Sequence, residues 1–293
     1  MRLRRSLAWT YGNDPERCRQ QIQSECDGIT IDLEDAVVPS KKEQARAGAL
    51  DMLLNWDFRG KERIVRVNGI DTEYYEADMR KVIAPGLPDA IRLPKCERPE
   101  DVLRVDRDLS EIERNAGIEK NSIEIIAMIE TPYGILRAYD IACCCKRVTA
   151  LSIGMEDLTA AMGITRRYET GVAETAYVRQ CFVLAAKAAG VQAIDSGFNK
   201  LCPIEFNWSY NEESRRMGFD GRSVRDGEQA HIANEVYGPT AEEVDWAKRA
   251  KDAYEKGDKE GDSHVYVDGR HLCAAAYHKA LSILEKQEQI EKI

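Results

Sequence analysis

The sequence predicts an α/β fold, specifically a (β/α)8 TIM barrel with a C-terminal helical extension. Three observations predict it: short β-branched or aliphatic runs recur, helix-like segments separate them, and the length of 293 residues suits one such barrel. Apolar runs that alternate with helices are typical of parallel strands covered on both faces. An open, doubly wound sheet is the alternative architecture.

The apolar runs give the strands of the barrel. In chain order they are SLAW (6–9), GITIDL (28–33), RIVRVN (63–68), AIRLP (90–94), IEIIAMIE (123–130), ALSIG (150–154), VQAID (191–195) and FDGRSV (219–224). Eight β-then-α units indicate a closed barrel rather than an open sheet. The last two runs are short, which is why the open sheet stays as an alternative.

The intervening segments carry helix signals. PERCRQQIQSEC follows Asp14, and KKEQARAGALDMLL follows Ser40, both residue types that cap helix N-termini. AETAYVRQCFVLAAKAAG ends on a glycine suited to a helix C-terminus. These helix-like segments supply the α part of the repeated β-then-α unit.

Residues 240–293 form the predicted extension, and residues 1–239 form the barrel. Thr240, with Glu243 three positions on, predicts a capped helix start. A polar stretch, a short strand or turn in HVYVDGRH, and a final helix from about Leu272 follow. A segment of about 50 residues buries little core alone, so we expect it to pack on the barrel or on a neighbouring subunit.

The composition excludes several functions. The formal charge is −9 and basic residues do not cluster, so nucleic acid is not an expected partner. A run of about 18 apolar residues and the apolar core of a signal peptide are both missing, so no membrane partner is expected and the predicted location is cytoplasmic. Nine cysteines without a C-x-x-C pair indicate reduced thiols.

Charged residues lie where the predicted strands end. They are Asp32, Glu34 and Asp35 after strand two, Arg66 on strand three, Arg92 and Lys95 on and after strand four, Glu130 at the end of strand five, and Glu156 and Asp157 after strand six. The carboxyl ends of barrel strands surround one active site. So many charges are costly there unless they pair or bind a metal.

The candidate ligands favour magnesium. They are oxygen donors, whereas all four histidines lie in the last quarter of the chain. Mg²⁺ commonly takes one or two protein carboxylates and keeps water or substrate oxygens in its other positions. Glu130 and Asp157, on adjacent predicted strands, suit this pattern. The alternative for each residue singly is helix capping.

The cations of the rim have two readings. Arg66 and Arg92 either neutralise Asp32, Glu34 and Asp35 or bind a substrate carboxylate bidentately. Both readings hold together if the acids neutralise one side of an arginine and so orient its remaining donors toward a substrate. For Arg92 and Lys95 the two readings stay open.

An ordered set of motifs resembles the citrate lyase β-subunit family, which includes malyl-CoA and citramalyl-CoA lyases and is related to HpcH/HpaI aldolases. The motifs are RRSL (4–7), GNDPE (12–16), IDLEDAV (31–37), VRVNGIDT (65–72), IRLPKCE (91–97), IETPYGIL (129–136), IGMEDLTAAMGI (153–164) and MGFDGRSV (217–224). Each motif alone is weak, but their order over about 220 residues is specific.

The resemblance implies a Mg²⁺-dependent lyase that cleaves a hydroxy-acyl thioester by a retro-Claisen reaction, releasing an oxo acid and an acyl thioester. The carrier would be CoA or an acyl carrier protein, and the assembly a homo-oligomer, a trimer or hexamer. It makes Glu130 and Asp157 the metal ligands. The catalytic residues would be Arg66, Asp32, Glu34 and Asp35, with Glu34 and Asp35 ordering metal-bound water, and the substrate-binding residues Arg5, Arg66, Arg92 and Lys95.

Three departures from the family pattern affect the thioester half of the site. Thr10-Tyr11-Gly12 replaces VPG, Arg225-Asp226-Gly227 replaces IHP or INP, and Cys273 stands where relatives carry an acid. His271 or Asp226 could move the proton instead. A metal-dependent aldolase for a free hydroxy-oxo acid, and a catalytically altered subunit or binding protein, are therefore the alternatives.

Overall fold

Eight parallel strands close into a barrel in sequence order, with β8 hydrogen-bonded back to β1. They are β1 (Ser6–Tyr11), β2 (Gly28–Asp32), β3 (Glu62–Arg66), β4 (Ala90–Leu93), β5 (Glu124–Ile129), β6 (Val148–Ile153), β7 (Gln192–Asp195) and β8 (Gly221–Val224). The structure is a computed structural model that describes residues 2–165, 173–197, 203–262 and 264–292. The predicted closed barrel is confirmed, and the open sheet is wrong.

Helices follow the strands in the predicted alternation. They are α1 (Pro15–Gln23), α2 (Lys42–Asn55), α3 (Tyr75–Asp78), α4 (Pro99–Ala116), α5 (Pro132–Cys143), α6 (Met155–Ala161), α7 (Ala176–Ala188), α8 (Ile204–Met217), α9 (Gly227–Tyr237), α10 (Ala241–Glu260) and α11 (Ala274–Glu291). Asp14 caps α1 by accepting a hydrogen bond from the Arg17 amide at 3.0 Å. The short α3 and the π-helical turn after it, Met79–Ile83, were not among the predicted elements.

Three layers of side chains fill the barrel. At the amino ends of the strands, Arg4 binds Glu62 and Glu124 at 2.6 and 2.5 Å. Above it lies an apolar layer formed by Leu7, Ile64, Ala90, Ile126, Ala150 and Ile194. Side chains alternate along a strand, so the next inward positions reach the carboxyl ends. There the interior becomes polar, with Asp32 and Arg92 buried.

The chain divides into two compact units, one over Leu3–Asn234 and a second that begins at Glu235. The predicted boundary after residue 239 lies shortly beyond this division and stays a prediction. In the second unit, Thr240 and Glu243 form the predicted reciprocal cap of α10, with hydrogen bonds of 2.9 and 3.1 Å. Tyr254 and Tyr277 stack between α10 and α11 at 4.3 Å between ring centroids.

The length and apolar content of a helix decide whether it can span a membrane. A spanning helix needs about 20 predominantly apolar residues. Within the described ranges, no helix is both long and apolar enough to cross a bilayer.

Candidate active site

A cavity of about 380 Å³ opens at the carboxyl ends of the strands. Its lining residues are Trp9, Tyr11, Arg17, Asp32, Ala36, Arg66, Glu156, Ser196, Gly197 and Arg225. This end of a (β/α)8 barrel is where active sites of the fold lie. The cavity therefore marks the candidate active site, and several of the charges predicted for the rim line it or lie beside it.

Asp32 and Arg66 form a bidentate ion pair at the floor of this cavity. Arg66 donates from Nε and Nη2 to the two Asp32 carboxylate oxygens at 2.7 and 2.6 Å, and its Nη1 lies 2.9 Å from Glu34 Oε2. Burial lowers the pKa of Arg66, but the neighbouring Asp32 and Glu34 carboxylates outweigh it and raise the pKa above its usual value. A guanidinium has five N–H donors, so donors remain on Nη1 and Nη2 after these three contacts.

Lys95 joins the two acids that follow β2. Its Nζ lies 2.8 Å from Glu34 Oε1 and 3.1 Å from Asp35 Oδ2. Burial lowers the pKa of Lys95, but Glu34 and Asp35 raise it more, so the net shift is upward. Burial raises the pKa of Asp35, and its hydrogen bond with Lys95 reverses this shift. Lys95 is thus held as a cation beside the acids.

Glu130, which follows β5, is a carboxylate buried among other charges. Its Oε2 accepts a hydrogen bond from the Lys95 amide at 3.1 Å. Lys95 has a φ of 54°, a left-handed conformation that is strained for a residue with a Cβ. Strain of this kind concentrates at functional sites. The backbone turn after β4 therefore directs an amide at Glu130.

Glycine at position 154 leaves the space that the Glu130 side chain occupies. A Cβ built on Gly154 would overlap Glu130 Oε1 and lie 2.5 Å from Glu130 Cγ. Burial raises the pKa of Glu130 to about 7; Arg66 opposes this shift, and the carboxylates of Asp157 and Glu34 add to it. A bound cation stabilises the charged form of a carboxylate that is crowded by two others.

The residues present fit a magnesium ion. Asp157 is close enough to Glu130 for its charge to raise the Glu130 pKa, and Asp157, in the first turn of α6, is exposed. Across the described ranges, no group of three or more His, Cys, Asp or Glu side chains is placed to hold a metal. Two carboxylates with open positions for water and substrate match the coordination habits of Mg²⁺. Glu130 and Asp157 would hold the ion.

Arg92, on β4, lies beneath the cavity and is fully buried. Its Nη2 donates to Ser152 Oγ at 2.8 Å and to Ser223 Oγ at 3.1 Å, while its Nε and Nη1 have no hydrogen-bond partner among the described residues. Burial and the nearby Arg66 lower the pKa of Arg92 to about 9. Arg92 forms no ion pair with the acids after β2 in the described part of the chain, although the charges of Glu130 and Asp32 oppose the fall in its pKa. Both of its predicted roles, neutralising these acids and binding substrate, therefore stay predictions.

Arg5 requires a correction. It precedes β1 at the amino end of the barrel, opposite the cavity, where its guanidinium binds Asp27 at 2.8 and 3.1 Å. Both oxygens of Asp27 are engaged, because the Arg5 amide also donates to Oδ2 at 2.7 Å. The prediction that Arg5 binds substrate is therefore wrong. Its motif matches the family in sequence, but its side chain pairs with Asp27 at the amino end of the barrel, away from the cavity.

Sequence reasoning missed Lys42, which holds the loop after β2. Its buried Nζ donates to the Leu33 and Glu34 carbonyl oxygens at 2.7 and 2.8 Å and to Asn68 Oδ1 at 2.7 Å. Asn68 in turn binds Asp78 at 2.6 Å. A lysine at a helix start gives no special signal in a sequence, although Asn68 was recognisable at the end of its strand.

Asp226 and His271 are the residues predicted as alternative proton donors. Asp226 caps α9 by accepting from the Gln229 amide at 3.0 Å, and it does not line the candidate active site. His271 and Cys273 line a separate cavity of about 500 Å³ within the second unit. A role for His271 or Asp226 in proton transfer therefore stays a prediction.

A closed barrel with an oriented arginine and crowded carboxylates at its carboxyl rim defines a (β/α)8-barrel enzyme. A family model of the HpcH/HpaI aldolase/citrate lyase family matches residues 5–227, and the chain belongs to that family. Its members include oxo-acid lyases such as citrate lyase β subunits and malyl-CoA lyases. The predicted family and enzyme class, a carbon–carbon lyase, are confirmed.

Known relatives span nearly the whole chain. The citrate lyase subunit beta of Haemophilus influenzae is 32% identical over 286 residues, covering 98% of this chain and 97% of the relative. A (3S)-malyl-CoA thioesterase of Cereibacter sphaeroides is 34% identical over 267 residues, covering 91% and 88%. The crystal structure of CitE from Mycobacterium tuberculosis in complex with magnesium and pyruvate is 25% identical, with a TM-score of 0.67 and coverage of 80% and 91%.

Proposed function

We propose that this protein is a Mg²⁺-dependent lyase that cleaves a citryl-, citramalyl- or malyl-type thioester into an oxo acid and an acyl thioester. The observation that carries the proposal is Glu130, a buried carboxylate crowded by Asp157 and Glu34 beside the oriented guanidinium of Arg66. The relatives support it, since they include a citrate lyase β subunit, a malyl-CoA thioesterase and a protein crystallised with magnesium and the oxo acid pyruvate.

Cleavage requires the substrate hydroxyl to lose its proton while the bond between the hydroxyl carbon and the thioester α-carbon breaks. Bound Mg²⁺ supplies Lewis-acid chemistry that lowers a hydroxyl pKa and orients the bond. Arg66, fixed from behind by Asp32 and Glu34, presents its remaining N–H donors to a substrate oxygen. These contacts are set before substrate arrives, so little reorganisation is needed.

The other rim residues keep this arrangement in place. Lys95 holds Glu34 and Asp35 together, and its amide holds Glu130. We propose that Glu34 and Asp35 order the water around the ion, as acids behind metal ligands do elsewhere. The carrier, CoA or an acyl carrier protein, the homo-oligomeric assembly and the cytoplasmic location are part of the same proposal.

The test is a cleavage assay of the full chain against citryl-CoA, citramalyl-CoA and malyl-CoA with Mg²⁺. Oxo-acid release is followed with a coupled dehydrogenase, and free thiol release is followed in parallel. A lyase releases oxo acid without free thiol, and EDTA abolishes the reaction. Glu130→Gln and Asp157→Asn should each lower turnover at least a hundredfold, whereas Glu100→Gln, an exposed carboxylate at the start of α4, should not. Full activity in both site variants would contradict the metal assignment.

A second candidate function is a metal-dependent aldolase acting on a free hydroxy-oxo acid. Arg225, which lines the cavity in the segment where relatives shape the thioester site, favours it. The same assay with free oxo-acid aldols separates the two, because an aldolase releases oxo acid without any thioester present. Free thiol without oxo acid would instead indicate a thioesterase, and no turnover at all would favour a binding protein or altered subunit.

A further inference from the structure

A second cavity of about 440 Å³ adjoins the candidate active site. Its lining residues are Arg17, Gln20, Gln21, Gln23, Ser24, Arg225, Asp226 and Gly227. Arg17 and Arg225 line both cavities, so they stand where one passes into the other. A molecule that filled both cavities would pass these two cations.

The backbone of Arg225 is fixed on both sides. Its amide donates to Gln229 Oε1 at 3.0 Å, and its carbonyl oxygen accepts from Gln21 Nε2 at 2.7 Å and from Arg17 Nη2 at 3.0 Å. Arg225 directly follows β8, so the barrel itself also holds it. The position from which the side chain extends is therefore rigid, which favours specific recognition.

Carboxylates line the two cavities, Asp32 and Glu156 the first and Asp226 the second, but none of them forms an ion pair with the arginines at the junction among the described residues. The Arg17 guanidinium donates to two carbonyl oxygens, those of Trp9 and Arg225, at 2.9 and 3.0 Å. The half-buried Arg225 guanidinium forms no ion pair with any residue that the structure describes. Asp226 is the acid nearest in sequence, and it caps α9. Both arginines therefore keep guanidinium N–H donors that can bind an anion, despite the acidic side chains nearby.

We propose that Arg225, assisted by Arg17, is a specificity residue that binds an anionic group on the substrate remote from the metal. The inference rests on the proposed function, since it assumes that a substrate occupies the first cavity. The group is an oxyanion: either a phosphate on the carrier arm, extending into the second cavity, or a second carboxylate on the acid. Arginine recognises both through paired N–H donors.

Calorimetric titration of the full chain distinguishes the two sources. The probes are coenzyme A, pantetheine, and Mg²⁺ with either oxaloacetate or pyruvate. If the anion is a phosphate, Arg225→Gln weakens coenzyme A binding about tenfold and leaves pantetheine unchanged. If it is a carboxylate, the same variant weakens oxaloacetate, which has two carboxylates, about tenfold more than pyruvate, which has one.

Two further variants control the measurement. Arg225→Lys retains the charge and should recover part of the affinity. Arg114→Gln removes the same charge from a side chain that is 73% exposed in the last turn of α4, and it should bind every probe like the unmodified chain. Thermal unfolding checks that each variant is folded.

The proposal is overturned if Arg225→Gln binds coenzyme A and oxaloacetate like the unmodified chain, or if the unmodified chain binds neither. Failure of the proposed function has a different signature. In that case pyruvate binding would not depend on Mg²⁺ or on Glu130, whatever Arg225 does.

Discussion

At the scale of single residues, Arg66 and Arg92 differ in how their charges are satisfied. The Trp9 ring lies 4.7 Å from the Arg66 guanidinium and 4.8 Å from that of Arg92. Arg66 forms ion pairs with Asp32 and Glu34, whereas among the described residues Arg92 hydrogen-bonds two serine hydroxyls and no carboxylate. A cation over an aromatic face contributes about 0.5 to 2 kcal/mol, which offsets little of the cost of burying it. We infer that Arg92 is kept at this position for function rather than for stability.

Replacing Arg92 should separate stability from function. Arg92→Met removes a buried charge that has no ion-pair partner among the described residues and replaces it with an apolar side chain, so the free energy of unfolding should stay the same or rise by about 1 to 3 kcal/mol. If Arg92 serves substrate binding, cleavage activity should fall at least tenfold. Urea unfolding and the cleavage assay measure the two effects.

Arg147 is the matched control for that substitution. It is equally buried, but its guanidinium binds Asp106 at 2.8 Å and Glu113 at 2.5 and 3.0 Å. Arg147→Met leaves a buried carboxylate without its partner and should destabilise the chain by about 3 to 5 kcal/mol. If Arg92→Met destabilised the chain to the same degree as Arg147→Met, the inference that the Arg92 charge does not stabilise the fold would be wrong.

Gly154 offers a test of the Glu130 position that leaves the carboxylate in place. In Gly154→Ala the new Cβ overlaps Glu130 Oε1, so the side chain must move and the two carboxylates no longer face one ion. We expect Mg²⁺ affinity, measured by calorimetry, to fall at least tenfold. Gly69→Ala is the control, because its Cβ meets only Thr72 Cγ2 at 3.8 Å. Unchanged affinity in Gly154→Ala would contradict the placement of Glu130.

At the scale of elements, ion pairs fasten helices to the outer face of the barrel. Asp195, the last residue of β7, binds Arg179 of α7 and Ser214 of α8, both at 2.7 Å. Burial raises the pKa of Asp195, but Arg179 and Arg222 outweigh it, so the net shift is downward from 3.8. One carboxylate thereby joins a strand and two helices beside the candidate active site.

The pH dependence of stability follows from that shift. Because the folded pKa of Asp195 lies below its unfolded value, the unfolded state takes up the proton first, and stability is lost as the pH falls below about 4. Asp195→Asn should destabilise the chain by about 3 to 5 kcal/mol at pH 7, and the difference should shrink on acidification. Urea unfolding between pH 7 and pH 3 measures it, with the exposed Asp51→Asn as control. A difference that did not change with pH would contradict the assignment.

At the scale of the whole barrel, the two ends have different tasks. At the amino end, the buried Arg4 links β3, β5, β6 and β7 through Glu62, Glu124, Thr149 and Gln192, at 2.5 to 3.2 Å. At the carboxyl end, charges face a cavity. In (β/α)8 barrels generally, residues at the amino end stabilise the fold, and residues at the carboxyl end carry the chemistry.

Substituting Arg4 tests this division. Arg4→Met withdraws both Arg4 contacts from the buried Glu62, so the free energy of unfolding should fall by about 3 to 5 kcal/mol. Mg²⁺ affinity at 15 °C should not change, because the proposed ligands Glu130 and Asp157 lie at the opposite end of the barrel. Calorimetric binding and thermal unfolding of the same preparation measure both. A metal affinity that fell together with the unfolding temperature would show that the ends are coupled.

The sequence determined the barrel and most of its rim. Apolar runs that alternate with helices admit few architectures, and parallel strands bring every strand end to one edge, so Asp32, Arg66 and Glu130 could be placed there by position alone. The reciprocal cap of Thr240 and Glu243 was equally readable, because capping depends on residues three positions apart.

Only the tertiary structure decided which charges meet. Arg5 belongs to a family motif yet pairs with Asp27 at the amino end of the barrel, and Lys42 holds the acidic loop without any local signal. Arg92 lies buried with no carboxylate hydrogen-bonded to it in the described ranges. Local patterns fix the period and the ends of elements, since neighbouring residues set backbone geometry. Ion pairs join residues far apart in the chain, and their partners are fixed only when the barrel closes.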